Sequence, residues 1–351
     1  MSKSRISRVA VAAATAALML GSACAAGAAP GGGDLSGEVV VSGSSTVEPI
    51  TSLVGELFAS ENPDVAVRVD GPGTGDGFQL FCGGETDISD ASRAIEEEEV
   101  AACEGAGITY TELPVAIDGL TIVANKDLDI DCLDWPQIYG IFGPESTGSL
   151  ADAQALAEEL GSEVDPLPEG DVEKFTPGPE SGTYDSFIEL TYEDLMGERL
   201  EAGAIPADKV GTNDDGEPEV TEPILSDGQF PNDNDIVQRV QGSDTGIGFF
   251  GFAFFQENKE DLKAIAVEDP ETGKCVKPSA KTIQKGTYPV SRPLFIYPNN
   301  AKAAENPAVQ AFVDFYMTAD NLNATVTEAG YVPLAKADRT ASIETWESAG
   351  G

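Results

Sequence analysis

The chain has 351 residues, 41% of them hydrophobic and 7% aromatic, which is enough for two cores of α/β size. Its 61 acidic residues against 20 basic ones give a formal net charge of −41, which excludes nucleic acid as a partner because phosphate backbones are held by clustered Lys and Arg. Histidine is absent and no serine stands three residues before a lysine, so Ser-His-Asp, Cys-His and S-x-x-K catalysis, HExxH zinc sites and histidine metal sites are excluded.

The N-terminus reads as an address. Lys3, Arg5 and Arg8 precede an apolar run over residues 9–20 that ends in small residues and Cys24. This is the pattern of a secretory signal over residues 1–24, too short to span a bilayer. Cys24 stands where a bacterial lipoprotein signal carries its acylated cysteine, although Gly21 replaces the usual Leu three positions earlier. Residues 25–36 are mostly Ala, Gly and Pro, a flexible tether. Export permits disulfides, and Cys82, Cys103, Cys132 and Cys275 allow three pairings that sequence leaves open. Cys82 with Cys103 would close a short loop, and Cys132 with Cys275 would clip the middle of the chain. Each bridge would contribute roughly 3–5 kcal/mol in the chain-entropy model. A zinc site is the competing reading, but no C-x-x-C spacing supports it.

The mature chain opens with a β-type run at residues 38–41 that ends in the hydroxyl-rich turn Gly43-Ser44-Ser45-Thr46. A helix follows, with Ile50, Leu53, Val54, Leu57 and Phe58 at helical spacing. Val65, Val67 and Val69 alternate in a second strand that runs into a glycine-rich stretch, residues 71–95. There Gly71, Gly73, Gly75 and Gly77 allow close backbone approach, Thr74 adds a hydroxyl, and Phe78, Leu80 and Phe81 begin an apolar helix face. A loop entering a helix N-terminus is a ready anion site. The DISDASR run beyond it sets an acceptor, Asp90, near Ser92 and the cation Arg93, a combination suited to an anion that still carries a proton. The acidic block at residues 96–99 reads as solvated helix surface.

Strands are expected at residues 108–110, 115–117 and 120–124, and a helix at 135–142. Residues 146–171 read as a surface insert with one helix. Residues 176–184 hold a third turn, with Ser181, Gly182 and Thr183 leading into a helical face of Phe187, Ile188 and Leu190. Residues 211–235 are turn-rich and acidic, without EF-hand spacing. A short helix is expected at 236–240, an aromatic strand at 246–255, a strand at 294–297, and a helix at 307–317 capped by Asn306. Strands alternating with helices predict an α/β fold with parallel sheets, whose ligands gather at the carboxyl ends of strands. Three hydroxyl-and-glycine turns lie at such ends.

Taken in order, GSSTVEPI, GPGTGDGFQLFCGGETDISDASR, PESGTYDSF, GIGFFGFAFF and YPVSRPLFIY resemble the substrate-binding component of bacterial phosphate ABC transporters. The resemblance implies a type 2, two-lobed periplasmic binding protein fold that closes like a Venus flytrap on a ligand in the cleft. On that template residues 37–116 plus 291–349 form one lobe and 117–290 the other. Motif by motif it implies a phosphate site of Ser45, Thr46, Thr74, Asp90, Arg93, Ser181, Gly182 and Thr183. Some members carry an arginine four residues before the SGT serine, where this chain has Pro177, which leaves Arg93 as the expected cation.

The expectation is therefore an exported, lipid-anchored, monomeric receptor with no cofactor, metal or catalysis, binding inorganic phosphate and feeding an ABC permease and its ATPase. An ionised Asp90 can accept a hydrogen bond from protonated phosphate but faces sulfate acceptor to acceptor. A receptor for arsenate, sulfate or molybdate, a secreted phosphate-ester hydrolase and a surface adhesion protein are the alternatives. The charge of −41 suggests a saline habitat.

Overall fold

The computed structural model describes residues 35–179, 181–213 and 216–350. The export signal, Cys24 and the tether as far as Asp34 lie outside the described residues. The strand Leu113–Ala124 is the spine of the fold, buried along almost its whole length. Its first half pairs antiparallel with Ser291–Pro298, from Leu113 opposite Ile296 to Gly119 opposite Ser291. Its second half pairs antiparallel with Gly246–Gly251, from Leu120 opposite Gly251 to Ala124 opposite Ile247. One strand thus joins two halves of a curled sheet of ten strands among the described residues, ordered Val65–Asp70, Gly37–Gly43, Ile88–Ala91, Ser291–Pro298, Leu113–Ala124, Gly246–Gly251, Glu173–Thr176 and Gly228–Gln229. Two further short strands add to the spine. A Val, Ile, Leu and Ala run covered on both faces suits such a central position.

Sequence patterning divides this spine into two strands at Asp118-Gly119. The ladder continues instead, with Asp118 opposite Arg292. Gly119 is held there by packing, because a Cβ would meet Ile283 Cδ1 at 2.9 Å.

The expected parallel units are present. Gly37–Gly43 pairs parallel with Val65–Asp70 and with Ile88–Ala91. The helix Glu48–Glu61 returns between them, burying Ile50, Val54 and Phe58, while Leu57 stays exposed. Helices Trp135–Phe142 and Pro307–Tyr316 match expectation, capped by Asp134 on the Gln137 amide and Asn306 on the Ala308 amide. Helix Leu150–Glu159 occupies the acidic insert. The aromatic segment departs from expectation: its strand ends at Gly251, and Phe252–Asn258 is a helix burying Phe252 and Phe255. An i, i+3 aromatic pair serves a helix face, and a run of phenylalanines cannot by itself distinguish the two. At residues 108–110 only an isolated bridge, Tyr110 to Asn299, replaces the expected strand. Among the described residues five α-helices went unread, Glu193–Glu201, Ala280–Gln284, Asn300–Glu305, Ala319–Glu328 and Lys336–Gly350.

Buried side chains form separate clusters. One holds Tyr139, Phe142, Phe187, Phe249 and their neighbours, with Phe187 stacked on Phe249 at 3.7 Å between centroids. A second holds Val39, Ile50, Phe58, Phe312, Tyr316 and Trp346. A third, smaller one gathers Phe78, Phe81 and Tyr297 around the bridge Cys82–Cys103. Each fully buried aromatic or aliphatic side chain contributes roughly 1.5–3 kcal/mol. The second bridge is Cys132–Cys275, so of the three pairings open to the sequence the structure takes this one.

Candidate functional site

The first turn begins where Gly37–Gly43 ends. Gly43 has φ of 152°, and a Cβ there would fall 2.0 Å from the Asp90 carbonyl oxygen. The Ser44 amide donates to that oxygen at 2.9 Å. Ser44 Oγ then accepts from the Thr46 amide at 3.2 Å, which sets Ser45 and Thr46 at the start of the first helix. The second turn is drawn against the first: the Gly73 amide donates to the Gly43 carbonyl at 2.9 Å, and Gly77 packs on the Gly43 Cα. Helix Thr74–Cys82 starts there, and Thr74 Oγ1 accepts from the Ser92 amide at 3.1 Å and lies 3.0 Å from Ser92 Oγ. The third turn leads into helix Gly182–Thr191, whose capping Ser181 Oγ accepts from the Thr183 amide at 3.3 Å. A Cβ on Gly182 would lie 3.2 Å from the Ser45 carbonyl, so the first and third turns touch. The first turn thus meets both the second and, more than a hundred residues on in sequence, the third. Thr183 lines a cavity with Asp118, Asp233 and Tyr331 apart from the cleft that holds Thr74. Helix-end amides and hydroxyls are donors suited to an oxyanion.

Asp90 is 1% exposed, and neither carboxylate oxygen meets a donor in hydrogen-bond geometry among the described residues. Burial raises its pKa to about 7, and the Glu48 charge adds to the effect. The Thr51 hydroxyl, which also lies 3.2 Å from Tyr316 Oη, draws it back only in part. The carboxyl therefore sits under the first turn of helix Glu48–Glu61. Two residues on, it is Ser92 that joins Thr74.

Arg93 is 36% exposed and pairs with Glu99 at 2.7 Å and Glu96 at 3.1 Å, with its guanidinium 5.8 Å from the Phe78 ring centroid. The expected solvated acidic block is thus partly engaged: Glu99 both clamps Arg93 and caps its own helix through the Glu96 amide. Arg93 nevertheless lines a cleft of about 600 Å³ with Thr74, Ser92, Glu189 and a second cation, Arg292. Sequence reasoning missed Arg292. Its Nη2 donates to Ser186 Oγ at 2.9 Å and to Thr46 Oγ1 at 3.5 Å, its Nη1 pairs with Glu189, and its Nε lies 3.8 Å from Asp118 Oδ2. The only signal for it was an arginine inside an apolar strand, SRPLFIY, where a charge needs a reason.

Comparisons with known proteins bear on the family and the fold. The family model described as PBP superfamily domain matches residues 28–320. Protein SphX of Synechococcus elongatus is 37% identical over 311 residues, 88% of this chain and 81% of the relative. The phosphate-binding protein PstS of Staphylococcus saprophyticus is 37% identical over 327 residues, 93% of this chain and 89% of the relative. The crystal structure of a possible phosphate binding protein from Planctomyces limnophilus superposes with TM-score 0.74 at 33% identity, covering 90% of this chain and 99% of the other. An ABC-type phosphate transport receptor from Vibrio cholerae shares the fold, with TM-score 0.57 at 23% identity over 85% of this chain and 100% of the other.

Proposed function

Because this chain belongs to the PBP superfamily, among the phosphate-binding proteins that include PstS and SphX, we propose that it binds inorganic phosphate outside the cytoplasm and delivers it to an ABC permease. It is a binding protein and not an enzyme. The observation that carries the reading is the contact of the turn at Ser45 and Thr46 with the helix end at Gly182, which no single segment could create.

The proposed ligands are Ser45, Thr46, Thr74, Ser181, Gly182 and Thr183 as hydroxyl and amide donors, Arg93 as cation and Asp90 as acceptor of the phosphate proton. Support for Asp90 is its burial at the head of the first helix with both oxygens unpartnered among the described residues. Arg292 joins this set by its reach to Thr46 and its place in the cleft. Short charge-assisted hydrogen bonds in a closed site outweigh the long-range repulsion of a protein of net charge −41, because the Debye length is about 8 Å at physiological salt.

Two lobes, residues 37–116 with 291–349 and residues 117–290, belong to this proposal. The division of buried residues between two main clusters near positions 117 and 291 supports it. Anchoring through an acylated Cys24 and a monomeric state also belong to it; the mass of the mature N-terminal peptide would show or refute the acyl group.

The test is calorimetric titration of residues 25–351 with phosphate and then sulfate after bound ligand is stripped. The expected result is one tight phosphate site that is silent to sulfate and weakened at least 100-fold by Asp90→Ala or Arg93→Ala. Tight binding that survives both substitutions would keep the function and remove these two ligands. A wild-type protein indifferent to phosphate would end the reading.

A further inference from the structure

Arg292 is the most contested charge in the cleft. Four carboxylates feel it, Asp118 on the spine strand and Asp185, Glu189 and Glu193 on the helices facing it. Burial raises the pKa of Asp118, Asp185 and Glu193, and in each case Arg292 draws it back in part. Glu189 differs in geometry. Its carboxylate pairs directly with Nη1 at the cleft surface, its side chain is 38% exposed, and it lines the same cleft as Thr74, Ser92 and Arg93. The opposite amine of the guanidinium is already committed to Ser186 and Thr46. An anion entering the cleft therefore finds the open edge of Arg292 occupied by a carboxylate.

We propose that Glu189 is a built-in competitor for the bound anion, holding Arg292 until phosphate displaces it, so that its carboxylate sets the affinity of the site. The inference rests on the phosphate reading above. A carboxylate oxygen and a phosphate oxygen both accept a charge-assisted hydrogen bond from Nη1, so one substitutes for the other without rebuilding the wall. Glu189 stands at the cleft edge and can turn into water on displacement, whereas buried Asp118 cannot leave. A dianion brought to one guanidinium among four carboxylates must overcome their repulsion, and removing the nearest of them relieves most of it.

The experiment is phosphate calorimetry on the full mature chain as wild type, Glu189→Gln and Glu193→Gln, with thermal melting of each ligand-free protein as the folding check. The amide keeps the shape of Glu189 and removes its charge. We expect Glu189→Gln to tighten phosphate about tenfold while Glu193→Gln, which lines the same cleft without pairing to Arg292, changes it less than threefold. An unchanged or weaker affinity in a normally melting Glu189→Gln overturns the inference and leaves the phosphate reading intact. Should wild type bind no phosphate, the phosphate reading falls and this inference with it, whatever Glu189→Gln does.

Discussion

At the scale of single residues the chemistry turns on where charges are allowed to sit. Asp90 keeps a carboxyl in a fully buried place, and its pKa of about 7 lies above the ordinary carboxylate value of 3.8. A raised acid pKa means that the folded state holds its proton more firmly than the unfolded chain does. The stabilising contribution is complete below about pH 4 and is lost as pH climbs through 7. The difference amounts to at most about 4 kcal/mol, from roughly three pKa units at 1.36 kcal/mol each. Ligand-free wild type should therefore gain melting temperature on moving from pH 8 to pH 5 relative to Asp90→Asn, which lacks the titration. Parallel pH profiles for the two proteins would refute the buried-acid account. Of the proposed ligands, Ser45, Thr46, Thr74 and the Ser181–Thr183 turn stand out in sequence as small hydroxyl and glycine residues between a strand and a helix. Of these, Ser181 caps its helix by side chain, while the first two helices begin without such a cap. Arg292 was not legible, because its partners Thr46, Asp118, Ser186 and Glu189 are distant in sequence.

At the scale of elements, glycines decide how closely the turns approach. Gly43 faces the Asp90 backbone so closely that any side chain must displace a strand. Gly75, one residue into its helix, meets nothing within 4 Å. Gly43→Ala should cost more than about 3 kcal/mol and much of the expression yield, through backbone strain and overpacking. Gly75→Ala should be neutral or stabilise by up to about 1 kcal/mol, since alanine is the better helix former. Thermal melts of the two variants read this contrast directly, and equal losses would show that the turns tolerate separation. The spine strand teaches the complementary point. Asp118-Gly119 reads locally as a break, but the residues opposite it hold the ladder together, with Arg292 facing the aspartate and Ile283 packed where a side chain would have been. The helix Phe252–Asn258 is the same lesson reversed: aromatic content suggested a strand, and burial of one face chose a helix.

At the scale of the whole molecule, the net charge of −41 is a standing repulsion that the fold must overcome. The described ion pairs are mostly partly exposed, and such pairs contribute little individually. Screening should therefore act as a stabiliser: the melting temperature is expected to rise between 10 mM and molar sodium chloride. A protein equally stable at both would remove the case for a saline habitat. The two disulfides act at the same scale. Cys132–Cys275 ties positions 143 residues apart within the part of the chain that carries the Phe187 and Phe249 cluster. Cys82–Cys103 braces the helices beside the Thr74 turn.

Sequence alone determined what is local or compositional: the α/β alternation, the strand–turn–helix units, the cap at Asn306, the absence of histidine chemistry, and the family resemblance on ordered motifs. These follow from side-chain period and backbone preference, which act over a few residues. Only the tertiary structure decided which cysteines meet, that Leu113–Ala124 runs unbroken through both halves of the sheet, and that Arg292 reaches Thr46, Ser186 and Glu189 from a strand far along the chain. Those outcomes depend on distances between segments that the chain brings together only on folding, and a buried charge takes its partners from that encounter.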